Sequence, residues 1–407
     1  MSKVKVSPPD PNERADALER ERNRKMASSS QSFVRGSTTQ FYEWLAESSA
    51  PEIPEGPPVW ICGDCHVGNM GPVADTEGSV HINIRDFDHT VIANPAFDII
   101  RLALSLASLA RGSDLPGATT ARMLEAIMDG YESAFEHDFD ETTDNPEPPD
   151  AVRMALREAH RRTWRSLAKE RIKDTRPHVP LGAKFWPISE QERRALESVF
   201  SDRSTSEIAT VIQSHDDDAT IDTVDAAYWM KGCSSLGLLR YGVLLGVSDD
   251  DDTSADLCLI DVKEAVASAA PSFKGANIPQ DHAQRVVEGA VNVSPFLGER
   301  MRASSVFDTP VFIRELLPQD LKLEIDQTTT DEALKTAAYL ASVVGSAHAR
   351  QMDSSSRVAW RRELSQHSSH DLNAPSWLWT NVVGLLLNQE RMYLEHCRRY
   401  AAADGAT

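Results

Sequence analysis

The chain has 407 residues, of which 41% are hydrophobic and 26% charged. That balance suits a globular protein with roughly two or three cores and excludes a collagen-like, disulfide-dense or mainly disordered build. With 42 basic against 62 acidic residues the net charge is −20. Such a surface repels phosphate backbones and anionic lipid, so general nucleic-acid or membrane binding is not expected. A local Lys with a bound cation can still neutralise a nucleotide.

Residues 1–30 are polar and rich in Arg and Glu, and they read as a loosely held tail with one helix. No apolar stretch like that of a signal peptide follows Met1. The greasiest run, Ile99 to Ala110, is broken by Arg101 and is too short to span a bilayer. Five cysteines (Cys62, Cys65, Cys233, Cys258 and Cys397) read as reduced thiols, and the chain is expected to be cytoplasmic.

The spacing of Phe33, Phe41, Trp44 and Leu45 predicts a buried helix after a turn at Arg35-Gly36. Val59 to Cys62 and Val80 to Arg85 read as short strands, and Phe97 to Leu109 and Thr120 to Phe135 as helices. A polar loop at 138–150 leads to a basic helix from Ala151 to Ile172, then an irregular Pro177 to Pro187 and a helix from Glu190 to Phe200. Ala227–Lys231, Leu238–Val247 and Leu257–Lys263 are strand-like, with the Asp249–Asp252 run as a solvated hairpin turn. Asp281 to Ala290 reads as a helix, Pro310 to Glu315 as a strand, and Asp331 to Met352 and Trp377 to Tyr400 as helices. The expected organisation is therefore a tail (1–30), a helical unit (31–175), a connector (176–221), a strand-rich unit (222–317) and a second helical segment (318–407).

Cys62-Gly63-Asp64-Cys65-His66 is a literal Cys-x-x-Cys-His, the pattern of c-type haem attachment. That chemistry normally follows export, a zinc site needs a second ligand pair, and a redox pair belongs at a helix start in a βαβ unit. None of these conditions is met, so both cysteines read as small packing residues beside a turn.

The same segment carries a better-supported reading. Asp64 is followed by Asn69, an acidic strand end comes at Asp86-Phe87-Asp88, and Asp98 opens an apolar helix. Phosphoryl transfer needs an Asp to orient and deprotonate a hydroxyl, and an Asn and an Asp to hold Mg²⁺. Order and spacing resemble the catalytic and metal loops of the aminoglycoside-phosphotransferase and choline-kinase branch of the protein-kinase-like fold. Cys62 stands where that family has His, and Asn94 where its third motif has Asp. The resemblance implies Asp64 as base, Asn69 and Asp86 as Mg²⁺ ligands with Asp88 as a second carboxylate, and Asp98 as a brace of the catalytic loop through backbone N–H groups. His66 is a substrate contact or, preferably, a loop brace.

The phosphate-covering parts come afterwards in the chain. Lys231-Gly232-Cys233-Ser234-Ser235-Leu236-Gly237 is a Gly/Ser turn between two strands, with Gly232, Ser234, Ser235 and Gly237 as candidate nucleotide contacts. Ser234 stands where a Gly-x-Gly-x-x-Gly loop has its middle Gly. Lys263 ends an apolar strand and looks like the strand lysine that contacts α/β-phosphates, with Glu288 on the next helix as its expected ion-pair partner. The fold expected is α+β: a circularly permuted, two-lobed protein-kinase-like architecture with a helix-rich large lobe and a small antiparallel-sheet lobe.

Nearly the whole chain also resembles a bacterial family known as domain of unknown function 2252. The matching stretches are Phe33-Val34-Arg35-Gly36, Gly63-Asp64-x-His66-x-x-Asn69, Asp86-Phe87-Asp88, Val262-Lys263-Glu264-Ala265, Arg285-Val286-Val287-Glu288-Gly289 and Ala347-His348-Ala349-Arg350. That family implies no reaction.

Other residues weigh less. The basic stripe Arg153, Arg157, Arg161, Arg162 and Arg165 reads as a solvated face with i,i+4 partners rather than a site for an acidic substrate. Arg35 is a candidate to reach the active site from the N-terminal segment. His367 and His370 lack a third ligand, and Trp377 and Trp379 read as packing residues. The function expected is an ATP- and Mg²⁺-dependent phosphotransferase acting on a small molecule's hydroxyl. AMP transfer and a nucleotide-binding regulatory pseudokinase remain as alternatives.

Overall fold

The computed structural model describes residues 9–47, 52–75, 79–111, 117–136, 146–162, 178–209, 220–233, 235–248, 256–317, 329–366 and 375–400. Ser234, the run Asp249–Asp252, Arg165, His367 and His370 lie outside the described residues, as do parts of the loop at 138–150 and of the helix expected to reach Ile172. The chain is mixed α+β, and its sheets are antiparallel.

Three helices open it: α1 (Arg14–Ala27), α2 (Ser30–Gly36) and α3 (Thr38–Ala46). The Ser29 hydroxyl caps α2 by accepting from the Ser32 amide at 3.0 Å. Gly36 then ends α2, and the non-helical Ser37 separates it from α3, so the one helix expected over 33–45 is two. The described part of the expected tail is not loose. Leu18 and Met26 of α1 are buried, and the buried Arg14 guanidinium meets the Glu192 carboxylate at 2.6 Å. A polar composition hid this docking, because only a few positions of α1 face inward.

Next come the short strands β1 (Val59–Ile61), β2 (Met70–Ala74), β3 (Val80–Ile84) and β4 (Val91–Ala93). β1 pairs with β4 and β2 with β3, both antiparallel. Helices α4 (Ala96–Arg111), α5 (Gly117–Ser133) and α6 (Asp150–Arg161) follow. The described end of α6 falls well before Ile172.

A six-stranded antiparallel sheet comes after them. Its strands are β5 (Phe185–Trp186), β6 (Thr220–Trp229), β7 (Arg240–Ser248), β8 (Asp256–Glu264), β9 (Met301–Val306) and β10 (Thr309–Glu315). Their order is β5-β6-β7-β8-β10-β9. Between β5 and β6 lie α7 (Glu190–Phe200), started by a Ser189–Glu192 capping box, and the single turn α8 (Arg203–Ser206). The segment expected as a connector therefore belongs to the sheet: β5 pairs with β6, and α7 packs on one sheet face. Between β8 and β9 lie α9 (His282–Val293) and the single turn α10 (Pro295–Gly298). Helices α11 (Thr330–Ala349), α12 (Ser354–Gln366) and α13 (Ser376–Tyr400) close the fold.

One core runs through α2–α5, the short strands, α9 and α11–α13, and it reaches the sheet at Ala265, Met301 and Phe312. A second core covers the other side of the sheet with Leu18 of α1 and Leu196, Val199 and Phe200 of α7. The turn after β3 meets the sheet at Lys263 and Arg314, on the face turned to the first core. No helix among the described residues is long and apolar enough to cross a membrane.

Candidate functional site

β1 delivers the chain into the loop Cys62–Asn69. Gly63 sits at φ +76°, and a β-carbon built there would lie 1.9 Å from the His89 carbonyl oxygen. Only glycine fits both the backbone angle and that approach. The Tyr42 hydroxyl donates to the Gly63 carbonyl at 2.7 Å. Asp98, in the first turn of α4 and fully buried, accepts from the Cys62 amide at 2.7 Å and the Gly63 amide at 3.0 Å. The loop is thus bound to a helix by its backbone.

Behind Asp98 runs a buried chain of polar groups. His348 Nε2 lies 3.3 Å from Asp98 Oδ2, Tyr131 Oη 2.9 Å from His348 Nδ1, and the Trp360 indole donates to Tyr131 at 3.1 Å. An indole only donates, so pairing every group makes Tyr131 donate to Nδ1 and puts the imidazole proton on Nε2, facing the carboxylate. Sequence reasoning assigned none of these three residues a role. His348 was visible only as part of the Ala347–Arg350 stretch.

Asp64 lies in this loop and is buried. Arg101 donates from Nε to its Oδ1 at 2.7 Å and from Nη2 to the Val34 carbonyl at 2.7 Å. The other oxygen, Oδ2, lies 3.6 Å from His66 Nε2. Burial works to raise the Asp64 pKa, but Arg101, with His66 and His89, outweighs it and holds the carboxyl below its usual range. Burial, opposed by Asp64 and reinforced by Arg101 and Arg35, pushes His66 down to about 4. At neutral pH this pair is a carboxylate beside a neutral imidazole.

Asn69 donates from Nδ2 to the Asp64 carbonyl at 3.0 Å. Its own carbonyl accepts from the Arg85 amide at 2.8 Å, which continues the β2–β3 ladder and brings the Asp86–Asp88 turn beside the loop of Asp64. Lys263 Nζ, at the end of β8, lies 3.4 Å from Asp86 Oδ1 and in close contact with Asp88 Oδ2. Partial desolvation of the half-buried Asp86 works to raise its pKa, but Lys263, Arg240 and Arg314 outweigh it and hold Asp86 ionised. Burial and the Asp86 charge push Asp88 the other way. Asp88 Oδ1 is buried without a hydrogen-bond partner among the described residues. Among the described residues, no three His, Cys, Asp or Glu side chains are grouped to hold a metal ion.

Glu288 is not the partner of Lys263. It sits on the exposed side of α9, while Ala283, Arg285, Val286, Gly289, Ala290 and Val293 form the buried side. Arg285 is the functional side chain of that helix. It donates to the carbonyls of Asp88 at 2.9 Å and Val266 at 2.7 Å, and also to that of Thr90. Gly289 lets the helix approach, since a β-carbon there would fall 2.3 Å from Thr90 Oγ1. Arg285 thereby clamps the 88–90 turn, a role that periodicity alone does not separate from that of Glu288.

The Gly/Ser turn joins β6 to β7 above this cluster. Gly232 and Gly237 adopt φ of +98° and +109°, and a β-carbon at Gly237 would meet nothing within 4 Å. Ser235 is buried, and the Gly232 carbonyl accepts from Lys25 of α1 at 3.3 Å. Lys231 Nζ lies 4.1 Å from the Trp229 ring centroid. Burial lowers its pKa well below the ordinary lysine range, and the Arg240 charge adds to the shift. Arg240 forks onto both Asp261 oxygens, and Arg314 reaches Asp261 at 3.2 Å and the Arg85 carbonyl at 2.9 Å. An acidic protein thus gathers Lys231, Arg240, Lys263 and Arg314 at one place.

The remaining candidates lie elsewhere or hold nothing. Arg153 pairs with Glu147 at 2.9 Å and with Asp150 on the surface, and Arg157 and Arg161 are exposed. Cys62 and Cys65 are fully buried free thiols, with the Cys62 thiol 3.4 Å from the Asp86 carbonyl.

A family model described as "Uncharacterized protein conserved in bacteria (DUF2252)" matches residues 14–399. The chain belongs to this family. The DUF2252 match spans every residue of the site above. No curated protein and no solved structure matches the chain.

Proposed function

We propose that this DUF2252 protein is an ATP- and Mg²⁺-dependent phosphotransferase with a circularly permuted, two-lobed, protein-kinase-like architecture, acting on a hydroxyl of a small molecule. The observation that carries the reading is Lys263. Its ammonium leaves the sheet and meets Asp86 and Asp88, 177 and 175 residues away in sequence. Other features agree with it. The sheet has a glycine turn between β6 and β7, a lysine on β8 and a helix after that strand, the order of parts that kinases use. Asp98 holds the loop of Asp64 by two backbone amides. All five cysteines are free, which suits a reducing cytoplasm.

Asp86, Asp88 and the Asn69 amide oxygen would hold Mg²⁺, which would supply positive charge against the nucleotide phosphates. The partial donor set suits this ion, since Mg²⁺ takes one or two carboxylates and completes its shell with phosphate and water. The orphaned Asp88 Oδ1 is a buried acceptor that a cation would satisfy. Lys263 would exchange its carboxylate partners for phosphate oxygens. Arg101 fixes Asp64 through Oδ1 and leaves Oδ2 to accept the hydroxyl proton. Because Arg101 keeps Asp64 acidic, its main work is to orient the hydroxyl, in line with the loose transition state of phosphoryl transfer.

The test is incubation of the protein with ATP, Mg²⁺ and a bacterial metabolite pool, read by mass spectrometry. A metabolite that gains phosphate while ATP becomes ADP is the expected result. A product carrying AMP would replace phosphoryl by nucleotidyl transfer. No ATP-dependent product from any pool would contradict the reading.

A further inference from the structure

No carboxylate pairs with Arg35 among the described residues, and Lys231 and Arg285 at the same site likewise meet only a ring and backbone carbonyls. Arg35 lies at the end of α2, and the preceding Val34 carbonyl is held by Arg101, the same guanidinium that holds Asp64. A β-carbon built at Gly68 would fall 2.9 Å from Arg35 Nε and 3.1 Å from His66 Cε1, so the Arg35 side chain lies directly on the catalytic loop. Its charge also acts on the Cys233 thiol of the Gly/Ser turn, and the Ser32 carbonyl of α2 receives that thiol at 3.8 Å. Arg35 therefore sits between the loop of Asp64 and the glycine turn. Its Nε is buried with no hydrogen-bond partner among the described residues. The residue as a whole is half-buried, and a buried N–H left unpaired is costly unless an acceptor completes it.

We propose that Arg35 is a catalytic residue that contacts the transferred phosphoryl group, supplied in cis by the N-terminal helices; this rests on the phosphotransferase reading above. In the reaction the acceptor oxygen bonds to the γ-phosphorus, and the bond from that phosphorus to the β–γ bridging oxygen breaks. ADP leaves with the electron pair, and the hydroxyl proton passes to Asp64 Oδ2. Charge spreads onto the equatorial oxygens at that moment, and a planar guanidinium is suited to meet two of them. The Gly at position 68 serves the same end, because any side chain there would push Arg35 off the loop.

The probe is Mg²⁺-ADP with and without aluminium fluoride, a planar mimic of the phosphoryl group in flight, titrated by calorimetry. Wild type should bind the aluminium fluoride complex far more tightly than Mg²⁺-ADP alone. Arg35→Ala should lose about 100-fold or more of that increment while Mg²⁺-ADP affinity stays within about 3-fold, as for an arginine acting on the transferred group. Arg35→Gln should behave like Arg35→Ala and guards against a local folding defect. A merely structural role would weaken both titrations together and lower the melting temperature, which overturns the proposal. An undiminished increment in Arg35→Ala, or no increment in wild type, overturns it with the nucleotide reading intact. Absence of Mg²⁺-ADP binding in wild type removes the nucleotide reading and this inference with it.

Discussion

Asp64 and Asp86 are loop aspartates of the same unit, but their surroundings give them different work. Asp64 is buried on Arg101 and His66, whereas the Asp86 side chain keeps 40% of its surface exposed beside Lys263. Asp64→Asn should retain nucleotide binding and lose turnover by several orders of magnitude, read as ATP consumption with the acceptor in hand. His66 gives a second prediction at this scale. Its pKa is about 4 in the folded chain against about 6.5 when unfolded, so the unfolded state binds more protons between those values. Stability should therefore fall as pH drops from about 6.5 to 4, by about 3 kcal/mol from this group. Urea melts across that window should show a flatter profile in His66→Gln, and equal slopes in both proteins would contradict the assignment. The carboxylates and Lys263 were legible in the sequence because their types and spacing are chemical. Arg101 was visible only as the charge that breaks Ile99–Ala110; a lone Arg in an apolar helix needs a buried partner, but sequence does not say which.

At the scale of elements, the loop of Asp64 depends on α4 and α11. Asp98→Ala would leave the Cys62 and Gly63 amides and His348 without their acceptor. Equilibrium denaturation should show a loss of about 3 kcal/mol, since each buried donor left unpaired costs its desolvation. A change under about 0.5 kcal/mol, the range of neutral surface substitutions, would show that the brace is not structural. The long helices were legible because apolar periodicity over many residues is a strong signal. β4 and β9 were not singled out as strands, and β2 only as the unbounded half of a strand pair expected between Asn69 and Asp86. β4 has three residues and β2 carries Gly71 and Pro72, so neither gives a clear alternation. β9 places Arg302, Ser304 and Ser305 in a strand that pairs only with β10.

Across the whole molecule, a chain of net charge −20 concentrates basic side chains where its helical unit meets its sheet. The six-stranded sheet follows the loop of Asp64 in sequence, so long-range pairs must join what the chain order separates. α1 is part of that joining. It lies on the sheet through Leu18 and Arg14 and against α13, where the Tyr393 hydroxyl donates to the Ala27 carbonyl at 3.2 Å. Arg14→Met should cost about 3 kcal/mol in denaturation, because Glu192 would remain buried without its main counter-charge. A loss below about 1 kcal/mol, the range of exposed ion pairs, would make the Arg14–Glu192 contact peripheral. This docking was invisible in a composition that read as a tail.

If Lys263, Asp86 and Asp88 form a site for Mg²⁺-ATP, calorimetric titration of ATP with and without Mg²⁺ will reveal it. Wild type should bind ATP tightly only with Mg²⁺, Asp86→Ala should lose that metal-dependent binding, and Asp64→Asn should keep it. Equal ATP binding by wild type and Asp86→Ala, or none by wild type in the presence of Mg²⁺, would contradict the account.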